Sequence, residues 1–191
     1  MTKNRLEGFS DGVLAVIVTI MVLEMKVPRG ADLDALAPLL PVFISYVLSF
    51  IFIGVYWNNH HHLLHAATHV TGRIMWANLH LLFWLSVMPF VTGWMGENDF
   101  AAVPVAVYGL VQLLAGFAFF ILARSLVAAD GDDSAIARAI GRDLKGKASL
   151  VVYVVAIPIA FFNPLAAFLL YVAVAIVWLV PDRRIERVLA G

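Results

Sequence analysis

Charge is missing from this chain over long intervals, and those gaps fix its class. Residues 35–59, 74–96 and 100–123 carry no Asp, Glu, Lys or Arg over 25, 23 and 24 positions, and residues 148–181 carry none over 34. A helix rising 1.5 Å per residue needs about 20 apolar residues to cross a hydrocarbon core of about 30 Å. Each run is long enough. As one helix the last would measure roughly 51 Å, too long for a single crossing. Asn163-Pro164 divides it, because proline disfavours a helix continuing behind it. Composition points the same way: 62% of residues are hydrophobic and 14% charged, with a mean hydropathy of +0.91. Soluble domains carry about 25% charged residues. The formal net charge is zero, so no basic field points to nucleic acid. There is no cysteine, which excludes disulfide frameworks, thiolate metal sites and cysteine nucleophiles. Transmembrane strands would alternate apolar and polar residues, and these runs are continuous. The expected fold class is an all-α integral membrane protein.

The first segment is shorter. Its uncharged run, Gly12 to Leu23, has 12 residues, but helix-compatible residues extend from about Arg5 to Val27, and Pro28 supplies a stop. Glu7 and Asp11 then lie at or near membrane depth, where lipid-facing carboxylates are expensive, so this helix should be sheltered by others or face water. A signal peptide fits poorly: no small-x-small cleavage site follows a charged start, and Asp11 interrupts the segment. Residues 1–191 are therefore read as one transmembrane domain of six helices, at about 5–27, 36–62, 73–95, 101–126, 146–162 and 165–181. With six crossings one side receives Lys3, Arg5, Arg73, Arg124, Arg138, Arg142, Lys145, Lys147, Arg183, Arg184 and Arg187, and the other only Lys26 and Arg29. Eleven against two places both termini in the cytoplasm. The loop of about 128–145 is then cytoplasmic, with a short surface helix expected between Ser134 and Leu144. Glu24, Asp32, Asp34, Glu97 and Asp99 make the outer side acidic. The two halves show no repeat, which weakens an inverted-repeat transporter.

Polar residues inside the spans are the candidates for function. Val16, Ile20 and Leu23 share one face of the first helix, bordered by Thr19. In a monomer this stripe is ordinary packing. In a symmetric oligomer four copies would stack apolar rings about 5–6 Å apart along an axis, a constriction that can gate by dewetting. Arg5, Ser10 and Asp11 lie toward the cytoplasmic end of the same helix. They suit either a structural clamp to neighbouring helices or a clamp that positions a pore helix or responds to pH. All six histidines fall between 60 and 80: His60, His61, His62, His65, His69 and His80. His61, His65 and His69 are spaced for one helical face, so a metal site is conceivable, but no carboxylate or cysteine lies among them. Solvated histidines at the cytoplasmic end of the second helix, titrating near neutral pH, are the favoured alternative. No T-V-G-Y-G filter, P-loop or G-x-S-x-G is present.

From Arg5 the chain reads R-L-E-G-F-S-D-G, and its first helix ends V-L-E-M-K-V-P. This resembles the R-x-x-x-F-S-D-G signature (here Arg5, Phe9, Ser10, Asp11 and Gly12) of the transmembrane protein 175 family of endolysosomal potassium-leak channels and shorter prokaryotic homologues. The likeness continues as Y-W-N-N-H at Tyr56–His60, N-L at Asn78-Leu79 and P-F at Pro89-Phe90. The second half matches in hydropathy only. The resemblance implies a homotetramer with the first helix around a central pore. Val16, Ile20 and Leu23 would form the constriction, Thr19 the hydroxyl position and Glu24 the outer mouth. Arg5, Ser10 and Asp11 would link the first helix to the next two through Trp57, His60, Asn78 and His80. It implies passive conduction of potassium, with protons as a further permeant ion, in a prokaryotic plasma membrane. It implies no enzymatic activity, no metal, no cofactor beyond the permeant ion and no nucleic-acid partner. Valine at position 16, where the family usually carries isoleucine or leucine, implies a wider ring and weaker discrimination of potassium from sodium. A proton-coupled or cation-coupled secondary transporter using Asp11 and the histidines is the alternative.

Overall fold

The computed structural model describes residues 2–180 apart from Arg142, with the side chains of Ala135 and Ala139 also outside the description. Arg183, Arg184 and Arg187, counted above for orientation, lie beyond the described residues, as does Arg142. Every regular element among the described residues is a helix. Helix α1 spans Lys3–Leu23, and a 3-10 turn, Leu33–Leu39, leads into α2, Leu40–His65. Helices α3 (Gly72–Ser86) and α4 (Met88–Glu97) follow, then α5 (Ala102–Asp130), the short α6 (Ala135–Ile140), α7 (Leu144–Ala160) and α8 (Pro164–Leu179).

Four segments are long and apolar enough to cross a membrane: Lys3–Leu23, Leu33–His65, Gly72–Glu97 and Ala102–Asp130. Helices α7 and α8 are shorter, at 17 and 16 residues. The boundaries differ from expectation where prolines and caps act. Helix α1 ends four residues before Val27. The third span, expected to be continuous over 73–95, breaks at Val87. Pro89 stands in the first turn of α4, and its missing N–H leaves a ladder bond unmade. The second break falls at Asn163-Pro164, where the Asn163 side chain caps α8 by accepting from the Ala166 N–H at 3.1 Å. Ser134 caps α6 in the same way, with a bond from the Ala137 N–H at 3.2 Å.

Helix α5 is the spine. It packs against α3, α4, α7 and α8, whereas α1 packs chiefly against α2, α3 and α4 and sits at the margin. The core between them is filled by Ile53, Leu81, Leu85, Met88, Tyr108 and Leu122, all fully buried. Two glycines set close approaches. A Cβ on Gly96 would stand 2.6 Å from Val42 Cα, so α4 lies directly on the backbone of α2. A Cβ on Gly109 would collide with the Tyr171 hydroxyl, which reaches past it to donate to Val105 O at 3.3 Å.

Two lysines cap helix ends belonging to other helices. Lys3 on α1 donates to the Ala67 and His65 carbonyls at the end of α2, and Lys145 on α7 donates to Val180 O past α8 at 2.9 Å. Terminal carbonyls carry the negative end of the helix dipole, so an ammonium both bonds and neutralises them. Asp130 at the end of α5 holds the α2–α3 turn by accepting from the Thr68 N–H at 2.9 Å and its hydroxyl at 2.7 Å.

Candidate functional site

Helix α1 has two unlike faces. Leu6, Ser10, Leu14, Ile17 and Met21 are buried, and their steps of four, four, three and four residues keep them on one stripe against α2, α3 and α4. The opposite face carries Phe9, Gly12, Val16, Thr19, Ile20 and Leu23, and all are exposed. Val16 is 54% exposed, Ile20 41% and Leu23 77%, so the chain leaves much of each side chain open. The Thr19 hydroxyl donates back to Val16 O at 2.9 Å and Ala15 O at 3.0 Å. Its proton stays within the helix, and its oxygen lone pairs remain available outward.

An open groove of about 940 Å³ runs between α1 and α4. Phe9, Gly12, Val16 and Ile20 form one wall, and Phe90 and Trp94, stacked at 6.0 Å, form the other. Glu24 and Glu97 close the end nearest the α1 C-terminus. Glu24 lies over the bare Cα of Gly93, where a Cβ would stand 3.4 Å from Glu24 Oε2. It therefore faces α4 of its own chain. Lys26 pairs with Glu97 at 2.6 Å and ties the two helix ends together. That bond raises the Lys26 ammonium above its ordinary value.

A hydrogen-bonded junction joins three helices beneath this face. Ser10 on α1, Asn78 on α3 and His60 on α2 are all buried. Ser10 Oγ donates to Leu6 O at 2.9 Å, so its oxygen accepts from Asn78 Nδ2, also at 2.9 Å. The Asn78 carbonyl oxygen then faces His60 Nε2 at 2.7 Å. That oxygen can only accept, so His60 Nε2 carries the proton. The junction fixes both the amide orientation and the imidazole tautomer. Nearby, Trp57 Nε1 donates to Asp11 Oδ1 at 3.1 Å, a second tie between α1 and α2.

Two expected members stand outside. Arg5 is exposed and makes no ion pair with Asp11. The two are six residues apart, which turns them about 120° away from each other around the helix. His80 follows Asn78 by two residues, roughly 200° around α3; it points outward and accepts from Trp84 Nε1 at 3.0 Å. The histidine face is also shorter than its spacing suggested. Helix α2 ends at His65, so only His61 and His65 stack along it, with Trp57 above them. His69 belongs to the following turn and lies 3.4 Å from Asp130. Among the described residues no group of three His, Cys, Asp or Glu side chains is arranged to hold a metal ion.

Two features escaped the sequence reading. Glu7, expected only to be sheltered or to face water, buries one carboxylate oxygen, Oε1, with no hydrogen-bond partner among the described residues. A second buried chain runs from Gln112 through Tyr108 and Ser49 to Thr92, with links of 3.3, 3.1 and 2.6 Å, and joins α5, α2 and α4. The signal was present, since Ser49, Thr92 and Gln112 interrupt otherwise apolar spans. Which of them meet depends on packing.

These elements define a multi-pass α-helical membrane protein whose first helix is fixed to its neighbours by a polar junction and leaves an apolar face open. The sequence profile of the family described as "Endosomal/lysosomal potassium channel TMEM175" matches residues 5–89. A protein of Chryseobacterium sp. (strain P1-3) named as a potassium channel is 50% identical over 187 residues, covering 98% of this chain and 97% of the relative. The Gallus gallus protein named "Endosomal/lysosomal proton channel TMEM175" is 32% identical over 101 residues, covering 47% of this chain and 20% of that one. The crystal structure of a lysosomal potassium-selective channel TMEM175 homolog from Chamaesiphon minutus superposes with a TM-score of 0.81 at 27% identity, covering 92% of this chain and 95% of that chain. The chain belongs to the TMEM175 family.

Proposed function

We propose that this protein is a potassium-permeable cation channel that conducts passively along α1, within a homotetramer in a prokaryotic plasma membrane. The reading rests above all on one observation. Val16, Ile20 and Leu23 stay exposed on a helix whose other face is fully packed. Four such stripes around an axis give three apolar rings over roughly 10 Å. Water leaves a constriction of that kind readily, and an ion passes by shedding part of its hydration shell. The Thr19 oxygens then offer the side-chain polar contact nearest the narrowest point. Glu24 concentrates cations at the outer mouth, while Lys26 offsets the charge of Glu97. Ser10, Asn78 and His60, with the Asp11–Trp57 bond, hold the angle of α1 against α2 and α3. Six crossings with both termini in the cytoplasm make α7 and α8 the last hairpin.

Potassium permeation has further support in the names of the bacterial relatives, and the vertebrate relatives are named as proton channels. Proton permeation along the same path is therefore a second property to measure. The test is potassium-driven flux from proteoliposomes containing the purified chain, with Val16→Asp and Leu23→Asp as comparisons. Flux that both substitutions change strongly supports conduction along α1. Flux that both leave unaltered overturns it. Flux that saturates and requires a second ion would favour a coupled transporter using Asp11 and the histidines.

A further inference from the structure

Away from α1, a half-enclosed cleft of about 60 Å³ opens between α2, α5, α7 and α8. Its walls are mostly aromatic: Tyr56, Phe119, Phe120, Tyr153 and Trp178 line it, and Asp143 stands at its end. Tyr56 and Phe119 meet edge to face at 6.1 Å.

Several oxygens in this cleft keep acceptor capacity unused among the described residues. Asp143 caps α7 through Oδ1, which accepts from the Gly146 N–H at 3.1 Å, leaving Oδ2 free of that bond. Asn59 donates its Nδ2 to Val55 O at 2.8 Å, which leaves its carbonyl oxygen open. Among the described residues neither the Tyr56 nor the Tyr153 hydroxyl has a hydrogen-bond partner. Lys145 stands 6.0 Å from the Trp178 ring, but it is tethered to Val180 O beyond α8. One carboxylate, neutral oxygen acceptors and several π faces make a poor metal site, because a hard divalent cation needs six or more oxygens. They suit a cation that is itself partly apolar, attracted by ring faces and balanced by one carboxylate.

Size narrows the class further. At about 60 Å³ the cleft favours a compact cationic group over a bulky one. We propose that it binds a small organic ammonium group, such as a trimethylammonium or ethylammonium, with the aromatic rings as walls and Asp143 as counter-ion. The group can come from a free amine or from a zwitterionic lipid headgroup, since the cleft lies at the end of the bundle facing the cytoplasm in the topology above. The site is independent of the conducting path assigned to α1.

The experiment is calorimetric titration of the detergent-purified full chain with tetramethylammonium and ethylammonium chloride, against sodium chloride at equal ionic strength. A parallel arm compares retention of phosphatidylethanolamine with phosphatidylglycerol by native mass spectrometry. Two variants accompany it. Asp143→Asn removes the charge but keeps a side chain that caps helices and tolerates the left-handed backbone found there, φ 42°. Phe120→Leu removes a π face and keeps apolar bulk. The expected result is saturable binding of an ammonium salt, or preferential retention of phosphatidylethanolamine, weakened at least tenfold by both variants. Binding of the salts points to a free amine, and lipid preference alone points to a headgroup. Neither form of binding, or binding that both variants leave intact, overturns the proposal.

Discussion

Asn78 is the side chain on which the α1–α2–α3 junction depends, because it donates to Ser10 and accepts from His60 at the same time. Replacing it by leucine keeps the volume and leaves the His60 N–H without a partner in an apolar interior. A buried donor left unpaired costs about 1–3 kcal/mol. Asn78→Leu should therefore lower the melting temperature in detergent by several degrees, and a melting temperature equal to wild type would remove the junction from the stability of the fold. Val16 carries the second expectation at this scale. If Val16 forms the narrowest ring, as proposed, an added methylene there should make Val16→Ile more selective for potassium over sodium, read as a shifted reversal potential under bi-ionic conditions. Thr19→Cys, in a chain with no native cysteine, should react with a thiol reagent and lose current. Ser10, His60 and Asn78 can be picked out from the sequence as candidates. That Arg5 and His80 turn away from them follows from angular position on the helices, about 120° and 200° from Asp11 and Asn78 respectively.

Among the helices, glycine contacts separate what is packed within one chain from what stays open. Gly96 meets the α2 backbone, and Gly12 has nothing within 4 Å of where a Cβ would be. Gly96→Leu should force α2 and α4 apart, at a cost of about 1–3 kcal/mol or more, and appear as poor expression or early melting. Gly12→Leu should leave the fold of the single chain intact. If a second copy of α1 covers that face, the same change should reduce the oligomer fraction in size-exclusion chromatography with light scattering. A wild-type profile would place Gly12 against lipid. At the C-terminal ends of α1 and α4, the Lys26–Glu97 pair behaves as exposed pairs do. The Lys26 value is raised in the folded chain, so its contribution is full below the ordinary lysine value and fades as pH rises through the raised one. It should also weaken with salt. The apolar runs that became α1, α2 and α5 are legible one by one. The break at Val87 is not legible from charge gaps, because Pro89 interrupts the backbone ladder without interrupting the apolar run.

At the scale of the whole molecule, the bundle buries α5 and leaves α1 at the edge, with a stripe that needs a further partner. Leu23→Cys, on the most exposed member of that stripe, should cross-link copies of the chain in oxidised membranes if the stripes meet at an axis. An absence of cross-linked species at Leu23, Ile20 and Val16 alike would put α1 against lipid. The sequence by itself determined the class, the apolar segments and the break at Asn163-Pro164. Partition into a bilayer is a sum over residues within one segment, and proline acts on its own turn of backbone. Only the tertiary structure decided which face of α1 is covered and that His69 leaves the α2 histidines for Asp130. It also decided that Lys3 and Lys145 cap helices they do not belong to, and that aromatic residues from four helices enclose one acidic cleft. Those outcomes depend on rotation and register between helices. Close packing of many weak contacts fixes both, and no single segment encodes them.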